Sequence, residues 1–201
     1  MLDAALRKLV DPLLTALGKR AVRAGVGADQ MTGLALFAGL GCAAAITIGQ
    51  MSLALLLLAL GRLGDGLDGT IARQTRRTDR GGFIDIVADF AFYGAVVFAF
   101  AAQDPGRNAL PAAFLLLTFY VNGATFLAYA AVAAGRGMTT ELRGPKSIYF
   151  TAGLAEGGET IAAFALMMLW PAGFPVIAWV FGAMCLVTAG SRVLLGWRSF
   201  A

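Results

Sequence analysis

Four aspartates, Asp65, Asp68, Asp85 and Asp89, carry the chemical interest of this sequence. Asp65, Asp68 and Ala72 fall at i, i+3 and i+7, on one face of a helix, while Asp85 and Asp89 lie one helical turn apart. A short loop separates the two pairs, so the helices bearing them are expected to be antiparallel neighbours with all four carboxylates turned into one site. Their surroundings are apolar, and ionisable groups at membrane depth are costly enough to mark function. Four carboxylates packed in a low dielectric repel strongly unless cations neutralise them. Mg²⁺ or Mn²⁺, hard ions that take oxygen ligands and share a diphosphate, meet that need. Gly61, Gly64, Gly66 and Gly69 are interleaved with the acids and allow a bulky nucleotide close to the helix backbone. The chain has no histidine, which removes the commonest neutral-pH base and metal ligand. Chemistry is left to carboxylates, Lys/Arg, hydroxyls or thiols. Cys42 and Cys185 lie far apart in apolar runs and read as small buried hydrophobes.

The elements that must position these groups read as membrane helices. Of the 201 residues 59% are hydrophobic and 14% charged, against about 25% charged in soluble domains. The apolar residues come in long runs, and about 20 such residues span a bilayer core of roughly 30 Å as a helix. We expect an all-α integral-membrane protein, one domain over 1–201, with six transmembrane helices near 31–49, 51–73, 82–103, 109–134, 148–170 and 173–195. Turn signals separate them at Gln50, across 103–108 with its Asp104-Pro105-Gly106, and at Trp170-Pro171-Ala172-Gly173. Residues 1–25 interleave charge with Leu2, Leu6, Leu9, Val10, Leu13, Leu14 and Leu17 at helical spacing. They read as an amphipathic interfacial helix rather than a cleavable signal peptide, the alternative being a helix packed on the protein's own core. Arg73, Arg76, Arg77 and Arg80, then Arg136, Arg143 and Lys146, follow spans two and four, whereas the opposite side carries only Arg107. The positive-inside bias then places both termini and the aspartate site on the cytoplasmic side of the inner membrane. A net charge of +4 suits anionic headgroups and phosphate ligands, and nothing resembles a nucleic-acid-binding module.

The segment Asp65-x-x-Asp68-Gly69-x-x-Ala72-Arg73, then seven residues, then Gly81-x-x-x-Asp85-x-x-x-Asp89 resembles the signature of the CDP-alcohol phosphotransferase (phosphatidyltransferase) family. The spacer is one residue shorter than that pattern, a change that falls in a loop. The family's Thr-Pro-Asn-x-x-Thr segment before span one corresponds here to Gly27-Ala28-Asp29-Gln30-Met31-Thr32, where only Thr32 matches. The resemblance implies six spans behind an amphipathic helix, two metal ions, and homodimerisation. It further implies Asp65, Asp68 and Asp85 as metal ligands, and Asp89 as the general base and an added ligand. Gly69, Ala72, Arg73 and Gly81 would line the site of the cytidine diphosphate moiety. The implied reaction moves a phosphatidyl group from CDP-diacylglycerol to an alcohol with release of CMP, in phospholipid biosynthesis. A CDP-choline or CDP-ethanolamine type donor acting on a lipid alcohol would use the same site chemistry. Absence of histidine favours one direct displacement over a phosphohistidine intermediate.

Other polar residues have two readings each. Glu156 and Glu159 either line an acceptor pocket or pair with arginines in an aqueous vestibule. Arg143, Lys146 and Arg192 either hold an acceptor phosphate or anchor helix ends at the headgroups, and Arg80 joins Arg73 as a candidate phosphate donor group. Trp170, Trp179 and Trp197 fit interfacial or core positions. Intramembrane prenyltransferases also use aspartates on Mg²⁺-diphosphate, but their acidic motifs lie far apart in sequence. A transporter with a buried carboxylate relay is the alternative of another class; no inverted repeat supports it.

Overall fold

The computed structural model describes residues 2–137 and 155–200. In chain order the helices are α1 (Leu2–Arg23), α2 (Ala28–Thr47), α3 (Met51–Gln74), α4 (Asp79–Gln103), α5 (Pro105–Gly135), α6 (Gly157–Leu169) and α7 (Phe174–Ser199), with a 3₁₀ turn at Pro171–Gly173 before α7. Among the described residues there is no strand.

Among the described residues, four helical stretches are long and apolar enough to cross a bilayer: Ala28–Thr47, Asp79–Gln103, Pro105–Gly135 and Pro171–Ser199. They answer to expected spans one, three, four and six. Expected span two is a helix over its whole length, but its second half carries Arg62, Asp65, Asp68 and Arg73, which lowers its apolar character. Expected span five, 148–170, is helical over Gly157–Leu169; its first residues, 148–154, lie outside the described residues, as do Arg143 and Lys146 of the loop before it.

The turns follow local chemistry. After α2, Gly49 takes φ +76°, and the Gly49 and Gln50 amides donate to the Ile46 and Ala45 carbonyls at 2.9 and 2.8 Å. This is the glycine-terminated helix end that only a residue without Cβ adopts cheaply, and α3 starts one residue later. The break expected across 103–108 is tighter than a loop. Asp104 alone separates α4 from α5, its side chain accepting from the Arg107 amide at 3.2 Å, with Pro105 in the first turn, where its missing N–H costs nothing.

The helices approach closely where residues are small, as membrane helices do. A Cβ on Gly64 would stand 3.1 Å from the Ala35 Cβ, and one on Gly61 would stand 3.3 Å from the Ala35 carbonyl oxygen. α2 and α3 are therefore nearly in backbone contact along the half that carries the aspartates. Gly39 gives the Phe92 ring of α4 its place against α2, since a Cβ there would lie 2.6 Å from it. Below this seam sits an apolar core of Ile46, Phe92, Phe100, Leu115, Phe164 and Phe174, with Phe100 stacked on Phe174 at 4.6 Å. α1 lies against the opposite side of α3, where Gly66 receives Leu14 and Gly18 receives Thr70. Large apolar side chains such as Phe37, Phe98 and Trp197 face outward, as a lipid-facing surface requires.

Candidate active site

The aspartates converge where α3 and α4 run side by side. Asp65, Asp68 and Asp85 each offer a carboxylate oxygen, and these oxygens lie within 4.8 Å of one another. Metal–oxygen bonds of about 2.0–2.6 Å place opposite ligands about 4–5 Å apart, so the trio fits one hard divalent cation in both donor type and span. Asp68 is buried, and the Thr32 hydroxyl on α2 donates to its Oδ2 at 2.6 Å. The close α2–α3 packing at Gly64 is what brings Thr32 within reach.

Asp89 stands beside the trio and is held differently. Its Oδ1 accepts from Arg62 Nη1 at 3.0 Å, and the same nitrogen lies 3.4 Å from Asp65 Oδ2. Arg62 is one turn before Asp65 on α3, and its guanidinium carbon sits 4.6 Å from the centroid of the Phe92 ring.

Two cavities flank these carboxylates. The first, about 630 Å³, is lined by Asp68 and Asp85 together with Gly69, Ala72, Arg73 and Gly81, and by Asp29, Arg76, Arg77 and Arg80. All four residues expected around the cytidine diphosphate moiety thus share one wall with two of the expected metal ligands. Thr78 caps α4, its hydroxyl accepting from the Gly81 amide at 3.0 Å. A Cβ on Gly81 would crowd Thr78 Oγ1 at 3.1 Å and Asp29 Oδ1 at 3.2 Å. Arg80 pairs with Asp29 across the mouth, and Arg73 donates to Thr70 Oγ1 at 2.8 Å.

The second cavity, about 440 Å³, is lined by Asp89, Tyr93, Asn122, Glu156, Thr160 and Arg192 among more apolar neighbours. Arg192 Nη1 donates to Asn122 Oδ1 at 2.7 Å and to the Asn122 carbonyl at 3.3 Å. Glu159 does not line this cavity, whereas Glu156 does.

Several of these contacts were not assigned from sequence. Arg62 had a signal, being a cation three residues before Asp65 on the same helical face. Asn122 had a weaker one, an amide inside an apolar run. The Asp29–Arg80 pair joins two helices and carried none.

Residues 26–190 match the family model described as CDP-alcohol phosphatidyltransferase. The chain is 40% identical over 197 residues to the inner membrane protein YnjF of Escherichia coli K12, covering 98% of this chain and 96% of that one. Among solved structures it is similar to Mycobacterium tuberculosis phosphatidylinositol phosphate synthase PgsA1. The crystal structure with CDP-DAG bound matches at a TM-score of 0.69 and 20% identity, over 92% of this chain and 94% of that one. The complex with manganese and citrate matches at a TM-score of 0.69 and 19% identity, over 92% and 88%.

Proposed function

Because the chain belongs to the CDP-alcohol phosphatidyltransferase family and is a transferase, we propose that it moves a phosphatidyl group from CDP-diacylglycerol to an alcohol, releasing CMP. One observation carries this reading: the carboxylates stand between two cavities, with Asp68 and Asp85 on the wall of one and Asp89 on the wall of the other. A displacement at phosphorus needs that arrangement, since the attacking oxygen and the departing group must occupy opposite sides of the reacting atom.

In this reading the first cavity takes the cytidine diphosphate moiety. Gly69, Ala72 and Gly81 leave room at the helix backbones, and Arg73 and Arg80 offer fixed donors to phosphate oxygens. Asp65, Asp68 and Asp85 hold a divalent ion, Mg²⁺ or Mn²⁺. When bound, it supplies positive charge for the diphosphate and for departing CMP. The acceptor enters the second cavity, where Glu156, Asn122 and Arg192 give it polar partners. Asp89 accepts the hydroxyl proton at its carboxylate. The acceptor oxygen forms its bond to the β-phosphorus while the bond from that phosphorus to the bridging oxygen breaks, and CMP leaves with the electron pair. PgsA1 with CDP-DAG bound supports a CDP-lipid donor, and PgsA1 in complex with manganese supports a divalent ion.

α3 and the segment ending in α6 complete six spans in one domain. The basic loops put the site and both termini at the cytoplasmic face, in an inner membrane like that named for YnjF.

The test is CMP release by the purified protein in detergent, given CDP-diacylglycerol and a panel of acceptors: glycerol 3-phosphate, inositol, inositol phosphate, serine and phosphatidylglycerol. Each is assayed with Mg²⁺, Mn²⁺ or EDTA. Metal-dependent release stimulated by one acceptor establishes the reaction. Release only from CDP-choline or CDP-ethanolamine with a lipid alcohol reassigns the donor. Failure to bind any cytidine nucleotide in the presence of metal defeats the reading.

A further inference from the structure

Tyr93 lies one turn after Asp89 on α4, and both line the second cavity. At 1.5 Å per residue, that step carries Tyr93 about 6 Å farther from the basic loop before α4. Its ring is enclosed by three others: Phe92 beside it on α4, Phe119 on α5 and Phe164 on α6, at centroid distances of 5.6, 6.2 and 5.9 Å. Phe92 and Phe164 are themselves buried, so the ring is held in place, and a phenylalanine would fill the space as well. What the tyrosine adds is a hydroxyl. Its oxygen would stand 3.8 Å from a Cβ on Gly157, a further lining residue at the start of α6. That hydroxyl makes no hydrogen bond to a described residue, although a tyrosine packed among rings usually finds a partner.

The depth of the hydroxyl limits what it can meet. An acceptor whose reacting hydroxyl gives its proton to Asp89 reaches Tyr93 with the atoms next in line. Leu116 and Phe119 stand beside them, and the Thr160 hydroxyl is spent on the Glu156 carbonyl at 2.9 Å. A charged group at that level would exchange its water for a neutral phenol, at a far higher cost than a hydroxyl would incur. Besides Asp89, the cavity draws charge from Glu156, just before the first turn of α6, and from Arg192, held by Asn122 on α5. A charged part of the acceptor belongs beside those two. A neutral hydroxyl, donor and acceptor at once, is what matches the phenol.

We infer that Tyr93 selects the acceptor by hydrogen-bonding a second hydroxyl on it, so that the acceptor is a polyol and not a monohydric alcohol. This rests on the proposed transferase reading and names the class of alcohol that enters the second cavity. Asp89 and Tyr93 then hold one molecule at two points along α4, the first at the hydroxyl that reacts and the second at one that does not. Contact with the unreacting hydroxyl is made before and during the displacement alike, so its loss is read in KM more than in kcat.

The experiment compares acceptors with and without a second hydroxyl. Full-length protein in detergent, with CDP-diacylglycerol and Mn²⁺, is given the polyols glycerol 3-phosphate, inositol, inositol phosphate and phosphatidylglycerol. The monohydric set is serine and the analogue of glycerol 3-phosphate that lacks its middle hydroxyl. CMP release gives KM and kcat, and CDP binding is measured beside it. Wild type is expected to use a polyol with a KM at least about 10-fold below that of either monohydric alcohol. Tyr93→Phe, which keeps the ring, is expected to raise the KM for that polyol about 10-fold with kcat little changed, and to lose the preference by the same factor. A merely structural role would weaken all acceptors alike. A monohydric alcohol that serves as well as any polyol overturns the inference and leaves the transferase reading standing. So does a Tyr93→Phe protein whose KM is unchanged. Binding of CDP with no release to any polyol overturns the inference while keeping the nucleotide site, whereas no binding of CDP defeats the transferase reading together with this one. Should Tyr93→Phe not fold, the wild-type preference between the two sets still decides.

Discussion

Thr32 presents a single hydroxyl to the buried Asp68, and in doing so sets which way that carboxylate turns. Partners that orient a metal-ligating group typically govern affinity, and losing one costs about 10–100-fold. Thr32→Val is therefore expected to weaken Mn²⁺ binding by about 10-fold or more, while Thr32→Ser stays close to wild type, as read by a Mn²⁺ titration. Asp89 has the opposite profile. It lies outside the three-oxygen seat, so Asp89→Asn is expected to retain Mn²⁺. The same variant is expected to lose about 100-fold or more in acceptor-stimulated CMP release, because it can no longer take a proton. Equal loss of metal binding and turnover in Asp89→Asn would mean that Asp89 is a ligand before it is a base.

At the scale of elements, α2 and α3 are held together by the absence of side chains at Gly61 and Gly64. A larger residue there must push the helices apart, and with them Thr32 from Asp68. Gly64→Leu is expected to cost about 1–3 kcal/mol through overpacking, seen as a lower unfolding temperature in detergent together with weaker metal binding. Gly33, on the open side of α2 with nothing among the described residues within 4 Å of where a Cβ would stand, is the control. Gly33→Ala should change stability by less than about 0.5 kcal/mol. The elements also show where sequence reasoning reached its end. Asp65, Asp68 and Ala72 share a face because helical spacing is fixed, and a short loop makes α3 and α4 neighbours; both facts are local. Whether Asp89 joins the other three depends on how α4 is rotated against α2 and α3. That rotation is set by Phe92 docking at Gly39, a contact between distant parts of the chain. The second cavity was hidden for the same reason, since its polar wall draws Asn122 from α5 and Arg192 from α7. Apolar runs, in turn, gave α2, α4, α5 and α7 their lengths, but the charges of α3 blur the composition that defines a span.

For the whole molecule, the distribution of arginine is a topological statement that labelling can check. Cys42 and Cys185 are buried at 0% and 1% exposure, so the native thiols should stay silent to a membrane-impermeant maleimide and need no removal. A cysteine at Arg77, between α3 and α4, is expected to label only when the cytoplasmic face is accessible, as in inside-out vesicles. One at Arg107, at the start of α5, should label only from the opposite face. Labelling of both from the same side would contradict the proposed orientation.

The partition between the two cavities has a consequence for traffic through the enzyme. If nucleotide and alcohol use different doors, neither must wait for the other, and a leftover product blocks only the door it left by. CMP should then compete with the CDP-lipid and lower the maximal rate, without competition, when the alcohol is varied. Intersecting rather than parallel double-reciprocal lines should accompany that pattern. Such an enzyme is throttled by the nucleotide pool, and no surplus of alcohol at its other entrance lifts that block.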